Sequence, residues 1–390
     1  MKAIVIGAGV LGASTAYQLA KRGVDVTILE RGVPGDAASA ASFAWLNSNN
    51  KELRPYHDLN VMSIAEWSAV ARELGDARWL HQDGNVHVAA TAEDAEKLDA
   101  KAERLHSYGY AAIPMAPAEL TRLDSAIRVR DEYELAVFFP LEGHISVPLL
   151  IHDLLGAAKR LGATVAGGTE VVDLITDGSK VRGVVLGNGD RLESDVVVLA
   201  AGAGIGALMA SQGVDVRTEG SPGVTVTTSP GTSNLTTMLH LPGLSIRPDH
   251  GGRLVIRNAR ADQQIDPDGW TLPDAAVAEL IDQTAAGLTD VDPTAVRGER
   301  VQIAARPYPF DGLPVVGHWD GLPGLYVMTM HSGVTMGAIM SRLAAEELTT
   351  DTPTPLLDGF RPARVIAAAE QDVAYFDPYA IEGEKDVSRT

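Results

Sequence analysis

The clearest hydrophobic pattern in the chain lies in its first thirty residues. Residues 2–6 form a short apolar run, residues 13–22 have the composition of a helix, and residues 24–29 form a second apolar run that ends at Glu30. An apolar strand, a helix and a second apolar strand in so short a span predict a βαβ unit, in which the two strands lie parallel in one sheet.

The turn between the first strand and the helix carries three glycines in the spacing GxGxxG: Gly7, Gly9 and Gly12. Gly7 permits the tight turn, Gly9 lets a diphosphate approach the backbone, and Gly12 lets the helix pack closely on the sheet. The free N–H groups at the helix N-terminus suit a diphosphate, and Glu30 can accept hydrogen bonds from a ribose diol. The complete order of strand, glycines, helix, strand and acid predicts a dinucleotide-binding unit.

The remaining pattern alternates between helices and strands. Helices are predicted at residues 59–74, 92–108, 118–123, 147–161, 274–287 and 333–348. Strands are predicted at residues 84–90, 135–139, 164–166, 170–176, 181–186, 196–201 and 325–329, and residues 222–258 look β-rich. Continuous apolar strands such as residues 196–201 are typical of a buried parallel sheet.

The parallel-type strands and their helices dominate both ends of the chain, while strands and helices mix in the middle. We therefore expect an α/β fold with a Rossmann-like nucleotide-binding domain and an inserted α+β substrate domain that contains a mixed or antiparallel sheet. The expected boundaries are 1–50, 143–220 and 298–390 for the first domain, and 51–142 and 221–297 for the second.

Composition narrows the classes of function. The chain has 390 residues, of which 45% are hydrophobic, so it can form a sizeable core. A formal net charge of -19 argues against nucleic acid and anionic membrane surfaces as partners. The chain has no cysteine, which excludes disulfides, thiolate ligands and a cysteine nucleophile. We also find no histidine and carboxylate spacing typical of a metal site, and no Gly-x-Ser-x-Gly nucleophile turn.

Two apolar stretches could be mistaken for targeting or membrane segments. Lys2 and the apolar run after it superficially fit a signal peptide, but the three fingerprint glycines favour a folded strand and turn. The longest apolar stretch, residues 196–210, is interrupted by Gly202, Gly204 and Gly206. We expect no integral membrane segment and a cytoplasmic location, which leaves peripheral association with a respiratory chain open.

The glycines at 202–206 have the spacing GxGxG, and no strand ending in an acid follows within about 20 residues. They predict a tight exit from a buried strand, and not a second nucleotide site. One fingerprint indicates one tightly bound dinucleotide.

Four segments make the chain similar to a known family. They are residues 4–31, residues 142–148 (EGHISVP), residues 195–202 (DVVVLAAG), and the block formed by residues 306–317, 324–326 and 331–336. The chain resembles flavoproteins of the D-amino-acid oxidase class, in the group of glycine oxidase, sarcosine oxidase and D-amino-acid dehydrogenase. The resemblance covers most of the chain, and it implies that the dinucleotide is FAD.

The resemblance also implies which residues contact FAD. Val171 corresponds to a backbone contact with the adenine, Ala201 and Gly202 to a strand end beside the cofactor, and residues 332–336 to a helix start that faces the flavin pyrimidine. A helix N-terminus suits that place because reduced flavin gathers negative charge near N1 and O2. The full expected set is Gly7, Gly9, Val10, Leu11, Gly12, Glu30, Arg31, Ser39, Ser42, Val171, Ala201, Gly202, Ser332, Gly333, Val334, Thr335 and Met336.

The chain departs from the family in two respects. Members with covalent flavin use a cysteine or a suitably placed histidine, and residues 37–44 contain neither. We therefore expect non-covalent FAD. Trp45 follows the segment that corresponds to the family's S-x-x-N-A-G, and its bulk leaves open whether it forms a wall of the substrate pocket or belongs to the core.

Two residues are expected to act on the substrate. A carboxylate-bearing substrate calls for an arginine. Arg306 precedes Pro307, which favours extended backbone, and it matches the family's carboxylate-binding arginine. His331 lies beside the helix start that faces the flavin, and it either contacts the substrate or serves as a hydrogen-bonded loop histidine. His57, Asn47, Asn49 and Tyr308 are weaker pocket candidates.

The resemblance implies FAD-dependent oxidation of a small amino acid or amine, such as a D-amino acid, glycine or an N-alkyl amino acid. A hydride would leave the α-carbon for flavin N5, and the resulting imine would hydrolyse. The electron acceptor, either molecular oxygen or a carrier, and the oligomeric state stay open. Three alternatives remain: a non-catalytic FAD-binding subunit, an FAD-dependent 2-hydroxy-acid oxidoreductase, and an NAD-dependent dehydrogenase.

Overall fold

The computed structural model describes residues 1–370, and this part of the chain alternates between α-helices and strands. The strands are β1 (Lys2–Ile6), β2 (Asp25–Leu29), β3 (Trp45–Leu46), β4 (Leu80–His81), β5 (Asn85–Ala89), β6 (Ile113–Met115), β7 (Leu135–Phe139), β8 (Gly143–Ile145), β9 (Thr164–Ala166), β10 (Val171–Asp177), β11 (Lys180–Leu186), β12 (Arg191–Glu193), β13 (Val196–Leu199), β14 (Thr218–Thr228), β15 (Met238–Leu241), β16 (Leu244–Asp249), β17 (Arg253–Arg257), β18 (Gly298–Pro309), β19 (Val315–His318) and β20 (Leu325–Thr329). The α-helices are α1 (Val10–Lys21), α2 (Arg54–Leu74), α3 (Ala92–Ser107), α4 (Leu120–Leu123), α5 (Val147–Arg160), α6 (Ile205–Ala210), α7 (Ala259–Gln263), α8 (Asp274–Gly287), α9 (Gly333–Thr350) and α10 (Ala363–Glu370).

A six-stranded sheet with the order β19-β20-β13-β1-β2-β9 combines strands from the N-terminal, middle and C-terminal parts of the chain. Its strands run parallel from β20 to β9, and only β19 is antiparallel to its neighbour. One face packs against α1, α5 and α9, and the other against the small antiparallel sheet β10-β11-β12. Because both faces are covered, the central strands β1, β13 and β20 are mostly apolar. The α/β, Rossmann-like fold is confirmed.

The second large sheet has eight strands in the order β18-β14-β17-β16-β15-β5-β7-β6. It is mixed, since β15 and β5 are parallel and its other strand pairs are antiparallel. One face is apolar and packs on α8 through residues that include Val224, Ile246, Leu254, Ile256 and Leu280.

The opposite face of the eight-stranded sheet is polar. Side chains alternate between the two faces along each strand, and residues paired across neighbouring strands point to the same face. The residues that do not point into the apolar core therefore lie together on the opposite face. That surface carries Arg306, Ser221, Thr225, Arg257, Ser245, His240 and His87. Thr225 Oγ1 donates a hydrogen bond to the Ala41 carbonyl at 3.4 Å, and Arg247 Nε donates to the Phe43 carbonyl at 2.8 Å. The polar face therefore lies against the loop that follows β2.

Most predicted elements are present, and the differences have local causes. Helix α2 begins at Arg54, five residues before the predicted start, because Pro55 at the first turn of a helix is tolerated. The long strand β18 was not predicted as a strand, and only its extended backbone at Arg306 was expected. The division into two domains stays a prediction. Among residues 1–370, no helix is long and apolar enough to cross a membrane.

Candidate active site

The first half of the site is the turn between β1 and α1. Gly7 has a φ of +97°, and a Cβ there would lie 2.5 Å from the Ala200 carbonyl oxygen. A Cβ at Gly12 would lie 1.9 Å from the Gly7 carbonyl oxygen. Both contacts are with backbone atoms that cannot swing away, so these positions require glycine. The two glycines allow the start of α1 to pack closely against the ends of β1 and β13.

The N-terminus of α1 is open to an anion. Gly9 provides no side-chain cap, and the first turn has no acidic residue. Ser39 comes from the loop after β2, and its Oγ accepts a hydrogen bond from the Val10 N–H at 3.1 Å. A Cβ at Gly9 would lie 2.9 Å from the same Oγ. A hydroxyl group and the N–H groups of the first turn therefore meet where a diphosphate is expected.

Glu30 is anchored at the end of β2. Its Oε2 accepts a hydrogen bond from the Ala8 N–H at 2.9 Å, and its Oε1 accepts one from the Gly32 N–H at 2.9 Å. The Glu30 carbonyl accepts from the Thr169 N–H at 2.8 Å, which brings the start of β10 at Val171 to the same end of the sheet. The fixed carboxylate keeps lone pairs for the hydroxyl groups of a ribose.

The start of α9 meets the start of α1. A Cβ at Gly333 would lie 3.6 Å from the Leu11 Cγ. The first turn of α9 also has no acidic residue and no side-chain cap. Ser332 Oγ accepts a hydrogen bond from the Tyr56 hydroxyl at 2.8 Å, and Thr335 Oγ1 donates to the Trp45 carbonyl at 2.9 Å. Two helix N-termini thus point into one groove.

These features fit FAD. Gly7, Gly9, Leu11, Glu30, Ala201, Gly202 and Gly333 all stay partly exposed although they lie at the ends of buried strands or helices, so they line a groove. Thr329 Oγ1 and Asn47 Oδ1 are buried without a hydrogen-bond partner among residues 1–370, which is unusual for polar atoms unless a ligand or water completes them. Arg31 is exposed, Ser42 Oγ accepts a hydrogen bond from the Ala44 N–H at 2.9 Å, and the expected contacts of both residues with FAD stay predictions.

Arg306, Tyr308 and His331 come together on the polar face of the eight-stranded sheet. Arg306 and Tyr308 are two residues apart on β18, so they share a face. The Tyr308 and His331 rings stack with centroids 4.2 Å apart and planes 17° apart. The His331 side chain is exposed at the cleft, and partial desolvation together with the charges of Arg306, Lys51 and Arg257 lowers its pKa. His331 is therefore neutral at physiological pH.

Arg306 is not an isolated cation. Its Nη2 lies 3.1 Å from Asp262 Oδ2, and the same oxygen accepts a hydrogen bond from Arg257 Nη2 at 2.9 Å. Sequence reasoning missed Asp262, because no local motif marks a carboxylate on a five-residue helix. The sheet register is what joins it to the two arginines.

Trp45 packs on the polar face of the eight-stranded sheet, beside a buried polar cluster. Its ring centroid lies 4.3 Å from that of His240 and 5.5 Å from that of His87. Burial and nearby cations lower the pKa of His240 to about 3, so this ring is neutral as well. The indole Nε1 donates to Glu142 Oε2 at 3.0 Å, which fixes the orientation of the ring.

Glu142 is fully buried and is the centre of that polar cluster. Six donors contact its carboxylate: Trp45 Nε1, the backbone N–H groups of Ser48 and Asn49, the side-chain amides of Asn49 and Asn85, and the Tyr110 hydroxyl. Burial raises the pKa of Glu142, and the hydrogen bonds oppose that rise. Sequence reasoning quoted this residue within a motif but gave it no role.

Two of the weaker pocket candidates belong to the packed interior. The Asn49 side-chain Nδ2 donates a hydrogen bond to Glu142 Oε2 at 2.7 Å. The His57 ring contacts Ser48 Oγ at 2.8 Å and is 1% exposed. Lys51, in contrast, was missed, since a lone lysine in a loop carries no sequence signal. Its Nζ lies 5.3 Å from the centre of the Tyr56 ring, and burial lowers its pKa to about 8.

Comparison with known proteins gives consistent results. A family model described as DAO, FAD dependent oxidoreductase, matches residues 2–347. Glycine oxidase from Geobacillus kaustophilus is 27% identical over 358 residues, which cover 88% of this chain and 91% of that protein. An opine oxidase subunit from Agrobacterium tumefaciens is 26% identical over 363 residues, which cover 88% of this chain and 92% of that protein.

The same similarity holds in three dimensions. The crystal structure of glycine oxidase from Geobacillus kaustophilus superposes with a TM-score of 0.81 and 26% identity, and the match covers 93% of this chain and 98% of that chain. L-proline dehydrogenase from P. horikoshii, at 20% identity and a TM-score of 0.80, shares the fold over 94% of this chain and 98% of that chain.

Proposed function

We propose, from the premise that the chain belongs to the DAO family of FAD-dependent oxidoreductases, that it oxidises a small amino acid at the carbon that bears the nitrogen. Family membership makes the chain an FAD-dependent oxidoreductase of amino acids or amines. The narrower proposal is that the substrate is a D-amino acid, glycine or an N-alkyl amino acid. When bound, FAD accepts a hydride from the α-carbon. The substrate nitrogen loses a proton, and water hydrolyses the resulting imine to a carbonyl compound and an amine or ammonia.

The observation that carries this proposal is Arg306 on the polar sheet face, beside the stacked pair of Tyr308 and His331. Its side chain is 20% exposed, so the guanidinium can be reached from the cleft. A guanidinium in a partly dehydrated site binds a carboxylate strongly. We assign Arg306 the substrate carboxylate.

His331 and the start of α9 act on the other side of the substrate. Because its pKa is lowered, His331 stays neutral and can accept a hydrogen bond from the substrate nitrogen. The N–H groups of residues 332–336 supply partial positive charge where the reduced cofactor would carry negative charge. The absence of cysteine in the chain and of histidine in residues 37–44 supports non-covalent binding of FAD.

One relative favours a second candidate. The relative from Agrobacterium tumefaciens is, by its name, one subunit of an oxidase, and the match covers 92% of it. The chain could therefore serve as the FAD-binding subunit of a larger enzyme. A 2-hydroxy acid is a further alternative, because Arg306 would bind its carboxylate equally well.

Matched substrate pairs test the role of Arg306. Glycine is compared with methylamine, sarcosine with dimethylamine and D-alanine with ethylamine, in the wild type and in Arg306→Gln. Loss of a buried charged contact costs about 3 kcal/mol, so kcat/KM for the amino acid should fall about 100-fold while that for the amine stays unchanged. An equal preference for acid and amine in the wild type would contradict the proposal. Oxidation of glycolate or lactate instead would identify the hydroxy-acid alternative.

A further inference from the structure

We propose that Asp262 is a positioning residue, which fixes the guanidinium of Arg306 so that its remaining donors meet the substrate carboxylate. The proposal rests on the function proposed above for Arg306. It adds a residue that touches neither the substrate nor the cofactor and that acts only through Arg306.

Asp262 is itself held rigidly. It lies in the short helix α7, which Asn258 caps by accepting a hydrogen bond from the Ala261 N–H at 2.7 Å. The Asp262 side chain is fully buried, and its Oδ1 accepts from the Val224 N–H at 2.7 Å. One carboxylate oxygen is thus fastened to β14, so the other has a defined direction.

The second oxygen, Oδ2, receives two guanidinium groups. Arg257 Nη2 donates at 2.9 Å, and Arg306 Nη2 lies at 3.1 Å. The cluster therefore contains two positive charges and one negative charge. Without the carboxylate, the two buried guanidinium groups would repel one another and separate. Asp262 holds both near the same point and leaves one net positive charge for the carboxylate of a substrate.

Among residues 1–370, the hydrogen-bond acceptors of Arg306 contact one of its nitrogens, Nη2. Its Nη2 also donates to the Pro222 carbonyl at 2.8 Å and contacts Ser221 Oγ at 3.4 Å. Its Nε is buried and has no hydrogen-bond partner among residues 1–370. A buried charged donor without an acceptor is costly, so it points to a ligand that completes it. Because the acceptors from the described part of the chain gather at Nη2, the other donors of Arg306 are left for the ligand.

Gly223 completes the arrangement. A Cβ at this position would lie 2.6 Å from Arg306 Nε, 2.8 Å from Cζ and 2.9 Å from Cδ. The Arg306 side chain therefore packs closely against β14 at Gly223, in space that a Cβ would fill. Gly223→Ala would displace the guanidinium without changing any charge, so it provides a second perturbation that is independent of Asp262.

The test measures how well a simple carboxylate binds to the FAD-loaded enzyme. Acetate is titrated into the wild type, Arg306→Gln, Asp262→Asn and Gly223→Ala, and its dissociation constant is read from the change in flavin absorbance. In Asp262→Asn, an amide must meet donors on both sides, since either Val224 N–H or the two guanidinium groups will face its NH2 group. We expect acetate to bind at least 10-fold more weakly in Asp262→Asn and Gly223→Ala.

A double variant separates positioning from general damage. If Asp262 acts through Arg306, then Asp262→Asn adds nothing to the acetate affinity of Arg306→Gln, and it leaves oxidation of the matched amine unchanged. Unchanged acetate binding in Asp262→Asn, or additive losses in the double variant, would overturn the proposal. Unchanged acetate binding in Arg306→Gln would instead refute the proposed carboxylate site, which is a different failure. Gly223→Ala provides the same readout if Asp262→Asn does not fold.

Discussion

Two replacements of Glu142 should lower the stability of the protein by different amounts: Glu142→Ala removes the buried carboxylate, and Glu142→Gln only removes its charge. Glu142→Ala leaves six donors facing a cavity, and buried donors without partners cost about 1–3 kcal/mol each before relaxation. Breaking a buried ionic network by removing its charged member typically costs about 3–5 kcal/mol in total. We therefore expect Glu142→Ala to lower the free energy of unfolding by at least about 4 kcal/mol, near the upper end of that range.

Glu142→Gln should be milder for a structural reason. The Ser48 and Asn49 backbone N–H groups cannot turn, so the new oxygen must stay at the position of Oε1 and the new NH2 group at that of Oε2. Asn49 and Asn85 can rotate their amides, because their Oδ1 atoms are buried and have no partner in the described part of the chain. The Trp45 indole and the two turned Nδ2 groups then lose their carboxylate acceptor, but no cavity forms, so Glu142→Gln should still cost less than Glu142→Ala, about 1–3 kcal/mol.

The measurement is equilibrium unfolding in urea for both variants, with Glu134→Gln as an exposed control that should change stability by less than about 0.5 kcal/mol. Because the indole loses its anchor in Glu142→Gln, the tryptophan fluorescence of the folded state should also change. If Glu142→Gln costs as much as Glu142→Ala, or if Glu142→Ala costs under about 1 kcal/mol, the reasoning about this network is wrong.

Two further predictions concern the turn after β1 and the buried histidines. Gly12→Ala should cost more than about 2 kcal/mol and weaken FAD retention, because its Cβ would lie 1.9 Å from the Gly7 carbonyl oxygen. Gly206 lies in helix α6 with open space around it, so Gly206→Ala should raise the free energy of unfolding by as much as about 1 kcal/mol and leave FAD binding intact. Thermal melts and flavin content measure both variants. Burial lowers the pKa of His144 to about 2, while the unfolded chain binds this proton below about pH 6.5. Stability should therefore fall from pH 7 to pH 5, and His144→Gln should remove up to about 2 kcal/mol of that fall in urea titrations; an unchanged pH dependence would refute this assignment.

The sequence predicted the elements far better than the contacts between them. The βαβ unit was readable because its strand, glycines, helix and acid are neighbours in the chain. Local composition likewise located α8 and β7 at the bounds that the structure has. Such patterns report which face of an element is buried, and they act over a few residues.

The candidate site depends on pairings that no local pattern records. Arg306 meets Asp262 because β18 pairs with β14 and because α7 returns over the same strands. Glu142 draws its six donors from β3 and the loop after it, from β5 and from the segment after α3, which are far apart in sequence. Register and tertiary packing decide these contacts, so the sequence could supply Arg306 but not the residue that holds it.

The proposed activity requires bound FAD that an amino acid can reduce. The most direct test is the visible spectrum of the purified protein during anaerobic addition of glycine, sarcosine and single D-amino acids. We expect two flavin absorption bands that bleach with at least one of these compounds, and flavin that is released when the protein is denatured. Flavin that none of them bleaches would contradict the proposed activity, and a protein that binds no FAD even after reconstitution would contradict the assignment of the cofactor.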